Sequence, residues 1–519
     1  MVLCDGRRLP RSLAPARKYS SVGHLGSENV AGDHILLVDL NNFSTFPTLA
    51  IGLLIAALRN SGKVVELLSP LAHDVPAVAR ERQENLFDHL KRRISLTDVP
   101  QAFAVRDFLR TLYRARYERP HPIVLAETKR VLKRKPDVIL ISAYLHHLPT
   151  IQAISELASE MDIPVVVGGP MFNLPHVAEE WRKIRGVSMI FGGEADLVLP
   201  DLLQTFLHGG DLLKYPGVTL PDGSSSCAAP PLRPLNATPI PDFTDFPWDR
   251  YPVRIVPLMS GRGCQWDRCL FCSDVISSSG RQFRTRTIES VLLEMQEQAR
   301  RHNTASFLFL DLKLNSWPEM MRGIARNIQS YVQGAEWVGT VHVDQRADNG
   351  LSRDDLLAAA DGGMRRVSFG LETGSQKLLD RMQKGSSVER NSKFIKDAHA
   401  AGLSIRCTMF KGFPGETADD MAATERFLEE HGHLLDRVRF NNFSLYTNTP
   451  IWYEMVKKSG TGTDLTLTSS DHARAQSMYR RTKPVDRAYR RAKARVLAIV
   501  YEINRRALRD AARQFDGLM

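Results

Sequence analysis

Cysteine is scarce in this chain, with six among 519 residues. That is too few for a disulfide framework and fits a reducing, cytoplasmic setting. Long apolar runs are also missing. The longest, residues 49–58, stops far short of the ~20 residues a membrane-spanning helix needs, so no membrane partner is expected. The first residues, Met1-Val2-Leu3-Cys4-Asp5-Gly6-Arg7-Arg8, lack the apolar core of a signal peptide, and export is not expected. Aromatic and basic residues do not interleave as a base-stacking platform requires, which argues against nucleic acid as a partner. The net charge of +11 does not restore that reading, because the surplus is local: from Asp471 onward there are 13 Lys/Arg against 5 Asp/Glu. The excess describes one basic terminal face rather than a basic protein.

What is present begins with the cysteines themselves. Cys264, Cys269 and Cys272 stand at spacing C-x4-C-x2-C. Thiolates packed this closely in a cysteine-poor chain hold a metal or an iron–sulfur cluster. Three of them leave one iron of a four-iron cluster without a protein ligand, and an open position is what binding and activating a substrate requires. A structural zinc knot would supply four ligands.

The length calls for two or three domains. Residues 1–32 are Ser/Gly/Arg-rich without hydrophobic periodicity and read as a flexible arm. Over 33–215, apolar runs (Ile35–Val38, Val64–Leu68, Asp137–Ser142, Pro164–Pro170, Ser188–Glu194) alternate with helical segments. Residues 74–134 read as a charged helical insertion. Such runs indicate a parallel sheet buried on both faces, in a doubly wound, Rossmann-like α/β domain. Its ligand belongs off the carboxyl ends of the strands, where Asn41, Ser142, Gly168, Gly169, Gly193 and Glu194 fall. Residues 216–250, with prolines at 230, 231, 234, 239, 241 and 247, read as an inter-domain linker. The alternation resumes over 251–455 with five or six strand–helix units, a complete or partial β/α barrel. The cysteine loop, Asp311, Arg346, Glu372 and the run Gly412-Phe413-Pro414-Gly415-Glu416 all follow its strands. Residues 456–519 read as a basic helical segment, with a helix expected over 485–515.

With these motifs in view, the second half resembles a radical S-adenosylmethionine (SAM) domain. Phe369-Gly370-Leu371-Glu372-Thr373-Gly374 with Lys384-Gly385 matches that family's fourth-strand signature, and Gly412-Phe413-Pro414-Gly415-Glu416-Thr417 its fifth-strand glycine motif. The resemblance implies a 4Fe-4S cluster on Cys264, Cys269 and Cys272, with SAM chelating the fourth iron. It also implies Phe271 against the adenine, Asp311, Arg346 and Glu372 on the methionine and ribose parts, and Gly412 and Gly415 along the SAM backbone. The family spacing is C-x3-C-x2-C, so one extra residue separates Cys264 from Cys269 here. The first half is similar to the cobalamin-binding domain placed before many such enzymes, which implies cobalamin contacts at Asn41, Ser142, Gly168, Gly169, Gly193 and Glu194. The D-x-H-x-x-G signature is absent, since Asp39-Leu40-Asn41 carries Asn at the histidine place. His146 and His147, after the third strand, read as loop residues.

The chain thus resembles a cobalamin-dependent radical SAM enzyme, with a partial (β/α)6 barrel behind the Rossmann-like domain. The class implies methylation of an unactivated carbon in a natural-product or peptide substrate, and an electron donor such as flavodoxin or ferredoxin. Oxidation, rearrangement or cyclisation without methyl transfer is one alternative. A non-enzymatic zinc- and nucleic-acid-binding protein is another, and a colourless rather than brown protein would mark it.

Overall fold

The computed structural model describes residues 33–41, 45–75, 82–457, 464–482 and 485–518. The arm expected over 1–32 and the loop residue Asn42 lie outside them. Two six-stranded sheets carry the architecture.

The first sheet runs in the order β2-β1-β3-β4-β5-β6, comprising β1 (His34–Val38), β2 (Val64–Leu68), β3 (Val138–Ser142), β4 (Val165–Gly168), β5 (Val187–Phe191) and β6 (Val218–Thr219). The first five pair in parallel and β6 runs antiparallel to β5. Ile35 to Val38 are buried throughout, which is why their run is apolar on both faces rather than alternating. Helix α1 (Leu49–Asn60) carries the crossover from β1 to β2.

The insertion expected over 74–134 holds three helices: α2 (Leu86–Ser95), α3 (Phe103–Tyr117) and α4 (Pro122–Leu132). The last of these buries Val124, Thr128, Val131 and Leu132 and is the crossover that a doubly wound fold requires between β2 and β3. The added part is therefore only α2 and α3.

Residues 216–250 connect the two halves, but they are not a loose linker. β6 extends the first sheet, and Phe243 is fully buried. Asp242 pairs with Arg59 of α1 at 2.7 Å. The prolines exclude long helices and strands without excluding packing.

The second sheet is a parallel partial barrel in the order β14-β13-β12-β11-β10-β7. Its strands are β7 (Ile255–Leu258), β10 (Ser306–Phe309), β11 (Glu336–Val341), β12 (Met364–Glu372), β13 (Ser404–Lys411) and β14 (Arg437–Asn442). Between β7 and β10 a short antiparallel pair, β8 (Gly261–Arg262) and β9 (Arg284–Thr285), brackets the cysteine loop. Cys407 is buried in β13, packed into the hydrophobic core.

The C-terminal segment departs from the expectation of helix alone. β15 (Leu445–Tyr446), β16 (Leu465–Asp471) and β17 (Gln476–Arg481) form a three-stranded antiparallel sheet. The helix expected over 485–515 spans Arg487–Asn504 and is followed by a separate turn, Asp510–Phe515. Asn504 ends the helix with its side chain tied to the β14 backbone, accepting from Val438 N at 2.7 Å and donating to its carbonyl at 2.8 Å.

Candidate active site between the two sheets

A cavity of about 760 Å³ lies where the carboxyl ends of the two sheets face each other. Ser142, Gly168, Gly169 and Gly193 line one wall; Gly263, Ser273 and residues 277–280, around the cysteine loop, line the other. Gly169 shows why this edge carries no side chain. Its φ is +156°, and a Cβ there would stand 2.3 Å from the Ala143 carbonyl oxygen. Asn41 also lines the cavity, and its buried Oδ1 has no hydrogen-bond partner.

His146 reaches the cavity. His147 is tucked behind it, and burial lowers its pKa to about 3. The pair belongs to a short 3₁₀ turn, Leu145–His147, as the loop reading expects.

The cysteine loop is held from below by the segment that follows β12. Trp266 Nε1 donates to the Gln383 carbonyl at 2.7 Å, and Leu270 N to the Met382 carbonyl at 3.0 Å. The Trp266 ring lies so close to Gly385 that a Cβ there would meet it at 2.1 Å, and Gly385 has φ +66°. The Lys384-Gly385 motif is thus a seat for the loop. The extra residue between Cys264 and Cys269 is absorbed by a left-handed turn, with Asp267 at φ +39°. Asp267 bears an ordinary Cβ, so the longer spacing costs local backbone strain.

All three cysteines are free and half-buried. Burial pushes the Cys269 thiol up to about 11 and the Cys272 thiol to about 12. Lys384 stands beside them and pairs with Glu372 at 2.7 Å. Burial works against its ammonium, but Glu372 and the two cysteines outweigh burial and hold its pKa above the usual lysine value. Among the described residues, no three His, Cys, Asp or Glu side chains gather as a single metal ion would need. Three soft donors without a fourth suit a multi-iron cluster, whose thiolates sit on different irons.

Two residues expected to touch SAM also make structural contacts. The Asp311 carboxylate accepts from Ser260 N at 3.0 Å, Ser260 Oγ at 2.7 Å and Gly261 N at 2.8 Å. It staples the end of β10 to the turn leading into the cysteine loop, and burial raises its pKa to about 6 despite those bonds. Arg346 folds back onto Asp344 at 2.9 Å and onto the carbonyls of Asn315 and Ser316.

Glu194 is likewise held by ion pairs. It lines the cavity, but its carboxylate pairs with Arg262 at 2.9 Å and with Arg284, and it accepts from Leu232 N at 2.6 Å. It ties the first sheet to the β8–β9 bracket. Asp196 joins this tie, meeting Arg262 at 2.6 Å.

Phe271, Glu372, Gly412 and Gly415 sit on the barrel side of the loop. The Phe271 ring packs edge-on to Phe410 at 5.1 Å and to Phe413 at 6.4 Å. Glu372 adopts φ +61° at an irregularity in the β12–β13 pairing, which turns its side chain toward Lys384. Gly412 N donates to Glu416 at 2.5 Å, and Gly415 N to Asp464 at 2.9 Å.

The sequence reading missed Lys313, Arg262, Arg284 and the C-terminal sheet. Lys313 pairs with buried Asp344 at 2.5 Å, and the Cys264 charge reaches it. Arg262, placed between Gly261 and Gly263 just before Cys264, was the available signal for the first tie. Tyr446, Arg474 and Gln476 bring the C-terminal sheet to the cavity wall.

Residues 258–428 match the model of the Radical SAM superfamily. The match covers about a third of the chain. Most of the chain shares its fold with two solved enzymes. One is TsrM from Kitasatospora setae, a radical SAM methyltransferase solved with cobalamin and a [4Fe-4S] cluster: TM-score 0.62, 16% identity, 90% of this chain and 89% of that one. The other is the cobalamin-dependent radical SAM enzyme OxsB, with TM-score 0.63, 15% identity, and coverage of 89% and 66%. By sequence, the chain is 24% identical over 341 residues to an uncharacterized methyltransferase of Pyrococcus horikoshii, spanning 64% of this chain and 72% of that protein. It is 23% identical over 341 residues to the anaerobic magnesium-protoporphyrin IX monomethyl ester cyclase of Rubrivivax gelatinosus, spanning 62% of this chain but only 58% of the cyclase. At 90% and 89% of this chain, the likeness to TsrM and OxsB takes in both sheets.

Proposed function

We propose that the chain is a cobalamin-dependent radical SAM enzyme that methylates an unactivated carbon of a natural-product or peptide substrate. The observation that carries this reading is the single cavity bounded by the glycine edge of the first sheet and by the loops flanking the three cysteines. Likeness to TsrM and to the Pyrococcus methyltransferase supports methylation.

Cys264, Cys269 and Cys272 would hold a 4Fe-4S cluster, Phe271, Glu372, Gly412 and Gly415 would flank SAM, and Asn41, Ser142, Gly168, Gly169 and Gly193 would flank cobalamin. Together these cofactors supply one-electron cleavage of SAM and a transferable methyl group. The protein's part is to hold, orient and shield. Gly385 and Trp266 fix the loop, and Lys384 offsets the negative charge that three thiolates bring. Glu372 offers a carboxylate to hydroxyl or ammonium donors. Glycine and small side chains let a broad flat ligand approach the backbone at the first sheet. The C-terminal sheet closes the cavity on the side that neither cofactor domain covers.

The test is anaerobic reconstitution with iron, sulfide and cobalamin, followed by incubation with methyl-deuterated SAM and an extract of the native host. A product heavier by the labelled methyl supports methylation. Cleavage of SAM without label in any product favours the second reading, oxidation or cyclisation, which the likeness to the Rubrivivax cyclase supports.

A further inference from the structure

Helices α2 and α3 are amphipathic but face the wrong way for a soluble protein. Of 23 large apolar side chains exposed among the described residues, 11 lie between Leu86 and Tyr113. At 100° per residue, Val105, Phe108, Leu109, Leu112 and Tyr113 share one face of α3, and all five are exposed. The half-buried positions of α3 on the opposite side are arginines. Arg110 donates to the Ser95 carbonyl at 2.9 Å and Arg106 to that of Thr97 at 3.4 Å. The helix is fastened through its charged side and shows its apolar side to solvent. α2 repeats the pattern: His89 is buried, while Phe87 is 73% exposed alongside Leu86, Leu90 and Ile94. Asp98, between the helices, pairs with Lys411 and Lys493 at 2.6 Å each, so the pair is anchored to the barrel.

A contiguous exposed apolar face of this kind marks an interaction surface. The charges around it select the partner. Lys91 and Arg93 are exposed at the margins of the α2 face and Arg116 is exposed at the C-terminal end of the α3 face, while Asp88 and Asp107 lie on the far sides of their helices. A second copy would bring these cations against their own images across a two-fold axis. The first 32 residues are also unsuited as a cover, with five Lys/Arg against two Asp/Glu. An apolar face carrying Phe, Leu and Tyr with a basic margin complements an anionic lipid interface.

We propose that α2 and α3 lie on the surface of an anionic membrane, inserting the apolar face among the headgroups without spanning the bilayer. No helix among the described residues is long and apolar enough to cross one, and surface binding needs none. The proposal rests on no cofactor assignment.

The experiment is co-sedimentation of the full-length chain with vesicles of phosphatidylcholine alone or of phosphatidylcholine with one third phosphatidylglycerol, at low and high salt. Binding to the anionic vesicles should be at least about tenfold tighter than to the neutral ones and should weaken with salt. F108E/L112E should abolish it without lowering Tm, because both side chains are exposed. K91E/R93E, which keeps the apolar face, should lose only the preference for anionic lipid. Failure of the wild type to bind anionic vesicles overturns the proposal, as does equal binding by F108E/L112E. Self-association that F108E/L112E removes, without vesicle binding, also overturns it and assigns the face to a second copy.

Discussion

The two sheets meet at one cavity with opposite chemistry. The first presents glycine, serine and asparagine there, with hardly a charge left unpaired. The second presents Arg262, Gly263, Asp274, Ser273 and residues 277–280 there, while its three free cysteines and the Lys384–Glu372 pair belong to neighbouring segments. The contrast follows from what each edge must do. An edge that admits a broad neutral ligand keeps its backbone bare. An edge that holds a charged cluster must keep its own charges balanced while the low-dielectric interior magnifies them. The joint between the two is itself ionic, with Glu194 and Asp196 of the first half on Arg262 and Arg284 of the second.

Removing the thiols is the largest way to break the contrast. In the C264A/C269A/C272A variant, iron content and SAM cleavage should fall to background while cobalamin uptake persists, as read by metal analysis and visible absorbance. Retained cleavage would rule out the cysteines as the cluster site. Cutting the joint comes next. Glu194→Ala leaves two buried arginines short of a partner and should cost about 3–5 kcal/mol. Guanidinium unfolding would show it as a lower midpoint, with the two halves melting apart; an unchanged curve would show that the tie is not structural.

Gly385 and Gly169 test each side separately. Gly385→Val places a branched side chain at φ +66° against the Trp266 ring and should cost about 1–3 kcal/mol through overpacking. Iron bound per chain should drop. Gly402→Ala, also at positive φ but with open space around it, is the control that should keep its iron. Gly169→Val should weaken cobalamin binding about tenfold or more and leave iron unchanged. If both variants lost both cofactors alike, the two walls would not be independent.

The smallest effect concerns pH. Burial lifts the Glu416 carboxyl from 4.5 to about 7, so the folded state keeps a proton that the unfolded chain has already released. Its contribution is therefore greatest below about 4.5 and is lost as pH rises through about 7. Thermal melts of Glu416→Gln, neutral throughout, should fall less in Tm between about pH 5 and about pH 8 than those of the wild type. An equal fall in both would locate the pH dependence elsewhere.

Much of this was legible in the residues. Runs such as Ile35–Val38 and Val165–Gly168 are apolar without alternation, and that alone requires a parallel sheet covered on both faces. The cysteine spacing and the Lys384-Gly385 pair placed the loop and its seat. Other features were beyond a linear reading. Asp311 and Arg346 stand at strand ends, where ligand contacts belong, and only three-dimensional pairing shows that they also bond to Ser260, Gly261 and Asp344. The ion pairs of Glu194 were hidden because its partners lie 68 and 90 positions away. The hairpin of β16 and β17 is short, with few apolar residues, and its signal was outweighed by the basic helix that follows.

The proposed arrangement puts both cofactors against one cavity. Electron paramagnetic resonance of cob(II)alamin bound to the reconstituted protein tests it directly. With the cluster reduced, the cobalt signal should broaden or relax faster than with the cluster oxidised, and C264A/C269A/C272A should abolish the difference. A cobalt signal indifferent to the cluster's redox state in the wild type would contradict it.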